Sequence, residues 1–350
     1  MNRFDFAAAT DIASALQHMP AADAGREDEW ENGARAVQFI AGGTNLLDLI
    51  KQGVARPAKL VDINALPLAT VEPTPDGGLM LGALVSNADL AYHPQVRARY
   101  PLLSQAILAG ASPQLRNMAS TGGNLLQRTR CYYFYDVGVP CNKRLPGSGC
   151  PAREGLNRIH AILGASDACI AVHPSDMCVA LAALRARVHV QSARGRRVIA
   201  FADFHRLPGT TPEIDTNLAP DELILGVELA PDRLAPHSAY LKLRDRASYA
   251  FALVSVAAAL EFDQAGLIRD ARLALGGVAH KPWRDAQAEA LLLGQPASAA
   301  TFDAAADLVL RGARGYGQND FKIALSRRAI VRTLGMAAAP APATDPGRGA

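Results

Sequence analysis

Apolar and polar positions along this chain fall into short blocks. Residues 4–6 (Phe-Asp-Phe) read as a strand, and a helix is expected from about Asp11 with Thr10 as its N-cap. The polar stretch 21–36 reads as a surface loop. Next come an apolar run of strand length at Val37–Ile40, a Gly-Gly turn, a helix starting near Asn45, and a strand at 60–63. This strand–helix–strand rhythm predicts a small α/β lobe over about 1–65.

A second lobe is expected over about 66–230. Residues 79–81 read as a strand, Asn87–Tyr92 and 102–109 as helices, and 120–124 as a turn. From 127 to 169 the chain mixes Gly, Pro, Arg and aromatic residues without sustained periodicity, which predicts a long irregular insertion lacking an obvious core of its own. Regular structure is expected again as a strand at 170–172, a helix capped by Ser175 and running to about Leu184, a hairpin of 187–191 with 197–201, and the strand Leu223–Leu229. The two lobes together make a domain over 1–230. Pro231 and Pro236 mark a boundary. Beyond it, strands near 239–243, 253–262 and 271–275 and helices near 284–292, 302–311 and 321–334 predict a smaller α+β domain over 231–336. The tail 337–350, rich in Ala, Pro and Gly, reads as disordered.

At 350 residues the chain suits two or three compact units. A net charge of +3 gives no basic stripe, which sets nucleic-acid binding aside. No apolar run is long enough for a membrane span. The opening MNRFDFAAAT has no signal-peptide core, so synthesis in the cytoplasm is expected, and export to the periplasm would need a partner that carries a signal. All five cysteines, Cys131, Cys141, Cys150, Cys169 and Cys178, crowd into one part of the chain. In a chain of this size without a signal, such crowding points to a metal or cluster before a disulfide framework. Zinc and free structural thiols remain open on spacing alone, because the pattern is not that of a ferredoxin.

Three other places can carry chemistry. Ala41-Gly42-Gly43-Thr44-Asn45-Leu46 joins a strand to a helix, where glycines let backbone amides come close to a pyrophosphate; an ordinary turn would look the same. No G-x-G-x-x-G is present, so the fold logic of the NAD dehydrogenases does not apply. Ser120-Thr121-Gly122-Gly123-Asn124 supplies a second set of small residues, and one dinucleotide lying between the two turns would touch both. In His173-Pro174-Ser175-Asp176 the carboxylate either strengthens a helix start or accepts from a ligand hydroxyl.

AGGTNLLDLI, STGGN, HPSDM and AYLKLRDRASYAFALVSVAAAL occur here in one order. Over about 1–335 that order resembles the FAD-binding subunits of the molybdenum hydroxylases, the xanthine dehydrogenase and aldehyde oxidoreductase family, and within it the chain is most similar to those of bacterial periplasmic aldehyde oxidoreductases. The resemblance implies a two-lobed FAD-binding domain of the vanillyl-alcohol-oxidase type, followed by an α+β domain like that of carbon monoxide dehydrogenase flavoproteins. It implies that Phe39, Ile40, Ala41, Gly42, Gly43, Thr44, Asn45 and Leu46 wrap the FAD pyrophosphate and that Ser120, Thr121, Gly122, Gly123 and Asn124 hold it from the second lobe. Asp176 would contact the ribityl or flavin side, Ile224 would pack near the cofactor, and Lys242 would lie close to the isoalloxazine, unless it is a lysine on a solvated strand face.

Here 51 residues separate Asn124 from Asp176, where xanthine dehydrogenase FAD domains resemble this chain but have a short connection. The insertion is similar to that of relatives such as the corresponding subunit of 4-hydroxybenzoyl-CoA reductase, which place a four-iron cluster there. The likeness thus implies a [4Fe–4S] cluster. Cys131, Cys141, Cys150 and Cys169 are the expected ligands, because Cys178 falls inside a predicted apolar helix. Arg128, Arg130, Lys143 and Arg144 are candidates to offset its charge. The implied partners are a molybdenum-cofactor large subunit and a small subunit with two [2Fe–2S] clusters, with electrons passing through FAD to an external acceptor and no catalytic residue in this chain. The rival readings are the FAD subunit of a related xanthine dehydrogenase or 4-hydroxybenzoyl-CoA reductase type enzyme, a non-flavin scaffold module with structural zinc, and a self-sufficient flavin oxidase.

Overall fold

The computed structural model describes residues 2–20, 30–31, 34–231 and 233–339. The first sheet is wholly parallel, with the strand Lys59–Asp62 between Asp5–Ala8 and Val37–Ile40. Parallel neighbours need a crossover, and the helix Leu46–Lys51 supplies it between Val37–Ile40 and Lys59–Asp62. The Gly-Gly loop therefore leaves the carboxyl end of a strand, where open α/β sheets bind ligands. Asp11, not Thr10, caps the first helix, Ile12–Gln17: its carboxylate accepts from the Ser14 amide at 2.7 Å in a reciprocal capping box. Most of the expected loop at 21–36 lies outside the described residues. Within them, Trp30–Glu31 and Ala34–Arg35 pair as a short antiparallel ribbon.

The second sheet is antiparallel and places Leu223–Leu229 at its centre, between Leu79–Gly82 and Arg187–Ser192, with Val71–Pro73 and Gly195–Ala200 at the edges. The third is a meander of Ser238–Leu243, Val254–Phe262 and Ile268–Gly276, covered by the helices Ala286–Leu292, Ala299–Val309 and Phe321–Ala338. The last helix includes Ala337 and Ala338, which the composition had assigned to the tail. Ala is a strong helix former and Ala337 is buried. Residues 340–350 lie outside the described residues.

Three expectations fail locally. Residues 120–124 are not a turn: Thr121–Leu125 is helical, and Ser120 caps it by accepting from the Gly123 amide at 3.2 Å. Residues 170–172 pair in no ladder. Ile170 accepts from the Ala161 amide at 2.8 Å, and the segment is apolar because it threads through the interior, not because it belongs to a sheet. The insertion also has a core, borrowed from lobe one: Phe134, Ala152, Ile170 and the buried cysteines pack with Leu49, Ile50, Val54 and Leu60.

The insertion is tied to the C-terminal domain as well. The Ile162 and Leu163 amides both donate to the Val278 carbonyl, and wholly buried Lys322 donates to the carbonyls of His160, at 2.7 Å, and Gly277. Burial, with the Arg158 charge behind it, pulls Lys322 down to about 7. An unfolded lysine titrates near about 10.4. Between these two values the unfolded chain binds a proton that the folded chain lacks, so this lysine makes folding stability rise with pH across that window. Urea midpoints at pH 7 and pH 9 should show a smaller rise in Lys322→Met than in the parent chain; equal rises would exclude the lysine as the source.

Candidate functional site

Lobe one, lobe two and the C-terminal domain enclose a cavity of about 930 Å³. All eight residues from Phe39 to Leu46 line it, as do Ser120, Gly123 and Asn124. Thr121 and Gly122 face away. The Thr121 hydroxyl donates to the Val85 carbonyl at 2.9 Å and the Gly122 amide donates to the Ala83 carbonyl at 2.8 Å. The cause is the helix, which turns successive side chains by about 100° and cannot aim all five residues at one side.

The glycines serve different ends. Gly42 lies against lobe two so closely that a Cβ there would overlap the Met118 carbonyl, whereas Gly43 has φ +69°, a left-handed conformation suited to glycine. Asn45 accepts through Oδ1 from the Arg128 amide at 2.9 Å, fastening the loop to the chain beyond the second-lobe helix. Its Nδ2 and the Oδ1 of Asn87 are buried without partners, and both residues line the cavity. Buried polar atoms nearly always have partners. One unpaired donor and one unpaired acceptor at the edge of a cavity this size suit a large polar ligand, and a dinucleotide fits.

Asp176 and Lys242 meet. Lys242 Nζ donates to Asp176 Oδ2 at 2.7 Å and to the Ala109 carbonyl at 3.1 Å, and the side chains are only 4% and 7% exposed. Lys242 is therefore not on a solvated face. Tyr240, missed in the sequence, donates its hydroxyl to Asp176 Oδ1 at 2.6 Å; its signal was the alternation in AYLKL, which puts positions 240 and 242 on one face of a strand. Burial and the adjacent carboxylate push Tyr240 well above its usual range, so it remains a donor. Removing one partner of a buried pair strands the other charge. Lys242→Met should destabilise the folded chain by about 3–5 kcal/mol, measured by denaturant unfolding, and Lys242→Met/Asp176→Asn should recover much of that loss. A double variant no better than the single one would show that the pair is not the cause.

Ile224 does not line the cavity. Residues alternate along its strand: Leu223 and Leu225 pack with Phe39 and Ala41, while Ile224 points into the core of lobe two. At the cavity's open side stand Tyr249, a non-glycine residue with φ +51°, and Phe251, both exposed, with the Arg130 guanidinium 4.8 Å from the Phe251 ring centre.

Cys131, Cys141, Cys150 and Cys169 converge on a second, small cavity, and Cys178 does not. Cys131 Sγ lies 3.1 Å from His160 Nε2, and Cys169 Sγ accepts from the Ala171 amide at 3.4 Å. Burial pushes the Cys131 thiol up to about 12 and raises Cys141 as well. A hydrogen bond between Cys169 and Cys150 pulls Cys150 down to about 7 and pushes Cys169 up to about 12. Backbone amides of Phe134, Arg144 and Ile170 act in the opposite sense to burial at Cys131, Cys141 and Cys150, favouring thiolates. Of the four cations expected to offset charge here, Lys143 acts on Cys169 and Arg144 on Cys141. Both are also braces: Lys143 is paired with Asp215, and Arg144 donates to the Tyr133 and Phe134 carbonyls at 2.9 Å. Arg128 and Arg130 line the larger cavity instead. Cys178 is fully buried in the helix Asp176–Ala183, beside His173 and His205, with one ligand atom of each within 4.8 Å of the others. No helix among the described residues is long and apolar enough to cross a membrane.

The sequence matches the FAD binding domain in molybdopterin dehydrogenase over residues 4–231 and the CO dehydrogenase flavoprotein C-terminal domain over 238–335. It is 54% identical over 305 residues to the aldehyde oxidoreductase FAD-binding subunit PaoB of Escherichia coli (strain K12), covering 87% of this chain and 92% of that protein. It is 30% identical over 257 residues to the glyceraldehyde dehydrogenase medium chain of Sulfolobus acidocaldarius, covering 73% of each. Among solved structures, the fold is shared with a chain of the reconstituted CO dehydrogenase from Oligotropha carboxidovorans, at TM-score 0.73 and 20% identity over 97% of this chain and 99% of that one. With a two-lobed cavity fit for a dinucleotide and family matches spanning nearly its whole length, the chain belongs to the FAD-binding medium subunits of the molybdenum hydroxylase family of oxidoreductases.

Proposed function

We propose that the chain is the FAD-binding electron-transfer subunit of a molybdenum-dependent aldehyde oxidoreductase, working with a molybdenum-cofactor large subunit, a small [2Fe–2S] subunit and an external acceptor. The observation that carries this reading is the single cavity lined by both glycine-bearing segments, the unpaired amides of Asn45 and Asn87, and the Asp176–Lys242 pair. Likeness to the E. coli aldehyde oxidoreductase subunit directs the choice of substrate class. FAD, when bound, supplies the redox chemistry; the protein supplies position, polarity and access. Gly42 lets the two lobes close on each other, Gly43 lets backbone approach the pyrophosphate, and Asn45 offers its free amide donor. Asp176, held from two sides by Tyr240 and Lys242, is fixed as an acceptor. Lys242, donating to Asp176 and to the Ala109 carbonyl, holds that carboxylate in place at the cavity wall. No substrate base is assigned to this chain.

The same reading places a [4Fe–4S] cluster on Cys131, Cys141, Cys150 and Cys169. Four sulfurs facing one cavity, with amides directed at three of them, support it. A single tetrahedral zinc, the rival occupant, would need edges of about 3.8 Å between thiolates held at about 2.3 Å. The visible spectrum and metal content of the purified chain test both parts. Flavin bands over a broad reducible shoulder, with about four irons, are expected. A colourless zinc protein would overturn the whole reading, and flavin without iron would overturn the cluster. Aldehyde oxidation by the isolated chain would overturn the partner requirement.

A further inference from the structure

The two cavities share a partition one residue thick. Between the helix Thr121–Leu125 and the short helix Tyr132–Tyr135 the chain has no regular structure. Along this stretch Arg128 and Arg130 line the large cavity, while Thr129 and Cys131 line the small one. Such alternation is that of an extended chain, whose successive side chains face opposite ways. The partition is fastened on both sides. Lobe one holds it through Asn45 Oδ1 and the Arg128 amide, and on the cysteine side Cys131 Sγ lies 3.1 Å from His160 Nε2. Arg130 donates to the Tyr135 hydroxyl and lies over Phe251, but its Nε is buried with no partner. An unpaired guanidinium N–H and a thiol thus sit on adjacent residues, facing opposite cavities.

We infer that this partition couples the two sites: Arg130 contacts the bound flavin nucleotide from one side, Cys131 binds the cluster from the other, and each ligand strengthens the binding of its neighbour. The inference rests on the function proposed above. Whichever ligand binds first braces the shared stretch from its own side, so the second meets a wall already held. Such coupling is reciprocal, with one factor for both affinities.

The full-length chain tests this without mutation. FAD affinity is measured on the cluster-loaded chain and on the same chain after its iron is removed by oxidant and chelator, and iron release to a chelator is timed with and without saturating FAD. Removing the cluster should weaken FAD binding by about tenfold or more, and saturating FAD should slow iron release correspondingly. Because depletion could unfold more than the wall, Arg130→Ala, which keeps every cysteine, is the second arm. It should retain about four irons yet lose most of the protection that FAD gives them. FAD affinity unchanged by iron removal, or full protection in Arg130→Ala, would overturn the coupling while leaving the flavin and cluster readings intact. Flavin without iron in the starting chain would overturn the cluster reading and the coupling with it.

Discussion

Serine at any one of Cys131, Cys141, Cys150 or Cys169 should remove most of the iron from the purified chain, whereas Cys178→Ser should keep about four irons. The four sulfurs face one cavity, and a serine hydroxyl is a poor substitute for a thiolate around iron. The loss should extend to structure. The insertion is largely irregular, and ordering it costs about 1–2 kcal/mol per residue. Its borrowed core and its braces to Asp215 offset part of that cost, and ligand bonds would supply more. Each ligand variant should therefore become sensitive to protease within 127–169. Cys178 belongs instead to the apolar core of lobe two, so its hydroxyl replacement should cost about 1–3 kcal/mol and no iron. Iron analysis and limited proteolysis of the five variants decide the matter. Iron lost from Cys178→Ser and kept in Cys169→Ser would move the centre toward His173 and His205.

Gly42→Ala should yield a folded chain with little flavin. The added methyl would meet the Met118 backbone, which belongs to the other lobe and has no rotamer through which to yield. The lobes must separate, and the separation falls in the cavity wall. A loss of about 1.4 kcal/mol in FAD binding is already tenfold, and a backbone clash of this kind should exceed that. Gly43→Ala offers a comparison. Its strain is conformational, and the atoms that crowd it are side-chain carbons of Leu47 and Ile40, which can shift. Gly43→Val, bulkier and β-branched, should fall nearer to Gly42→Ala. Gly335→Ala, in the last helix with nothing nearby, should keep full flavin. Flavin content per chain, read from absorbance, ranks the set. Gly42→Ala at full occupancy would show that lobe contact at this point does not shape the site.

Much of this molecule is legible in one dimension because its signals are local. Val37–Ile40, Asn87–Tyr92 and Leu223–Leu229 have the bounds that their local sequence predicts: apolar residues of strand length for the first and last, and a Ser86 cap with His93-Pro94 beyond for the helix. The glycine loop after Val37–Ile40 is legible for the same reason: a strand, two glycines and a helix already specify a close backbone approach. The place of Cys178 in the core is legible because the residues around it predict an apolar helix. The errors arise where a neighbour distant in sequence decides. Residues 170–172 are apolar because they are enclosed by two domains, and Ile224 faces away from the cavity because its two strand neighbours are claimed by lobe one.

The sequence by itself determined which residue types are available to the site: the two glycine segments, the cysteines, Asp176 and Lys242. Only the tertiary structure decided how they are used. It paired Asp176 with Lys242 and added Tyr240, residues 66 and 64 positions away in sequence. It turned Thr121 and Gly122 away from the cavity, and it set Arg130 and Cys131 on opposite faces of one wall. The physical reason is that burial and charge pairing depend on distance in space, and two lobes and a C-terminal domain packed around one cavity bring together residues that no local spacing connects.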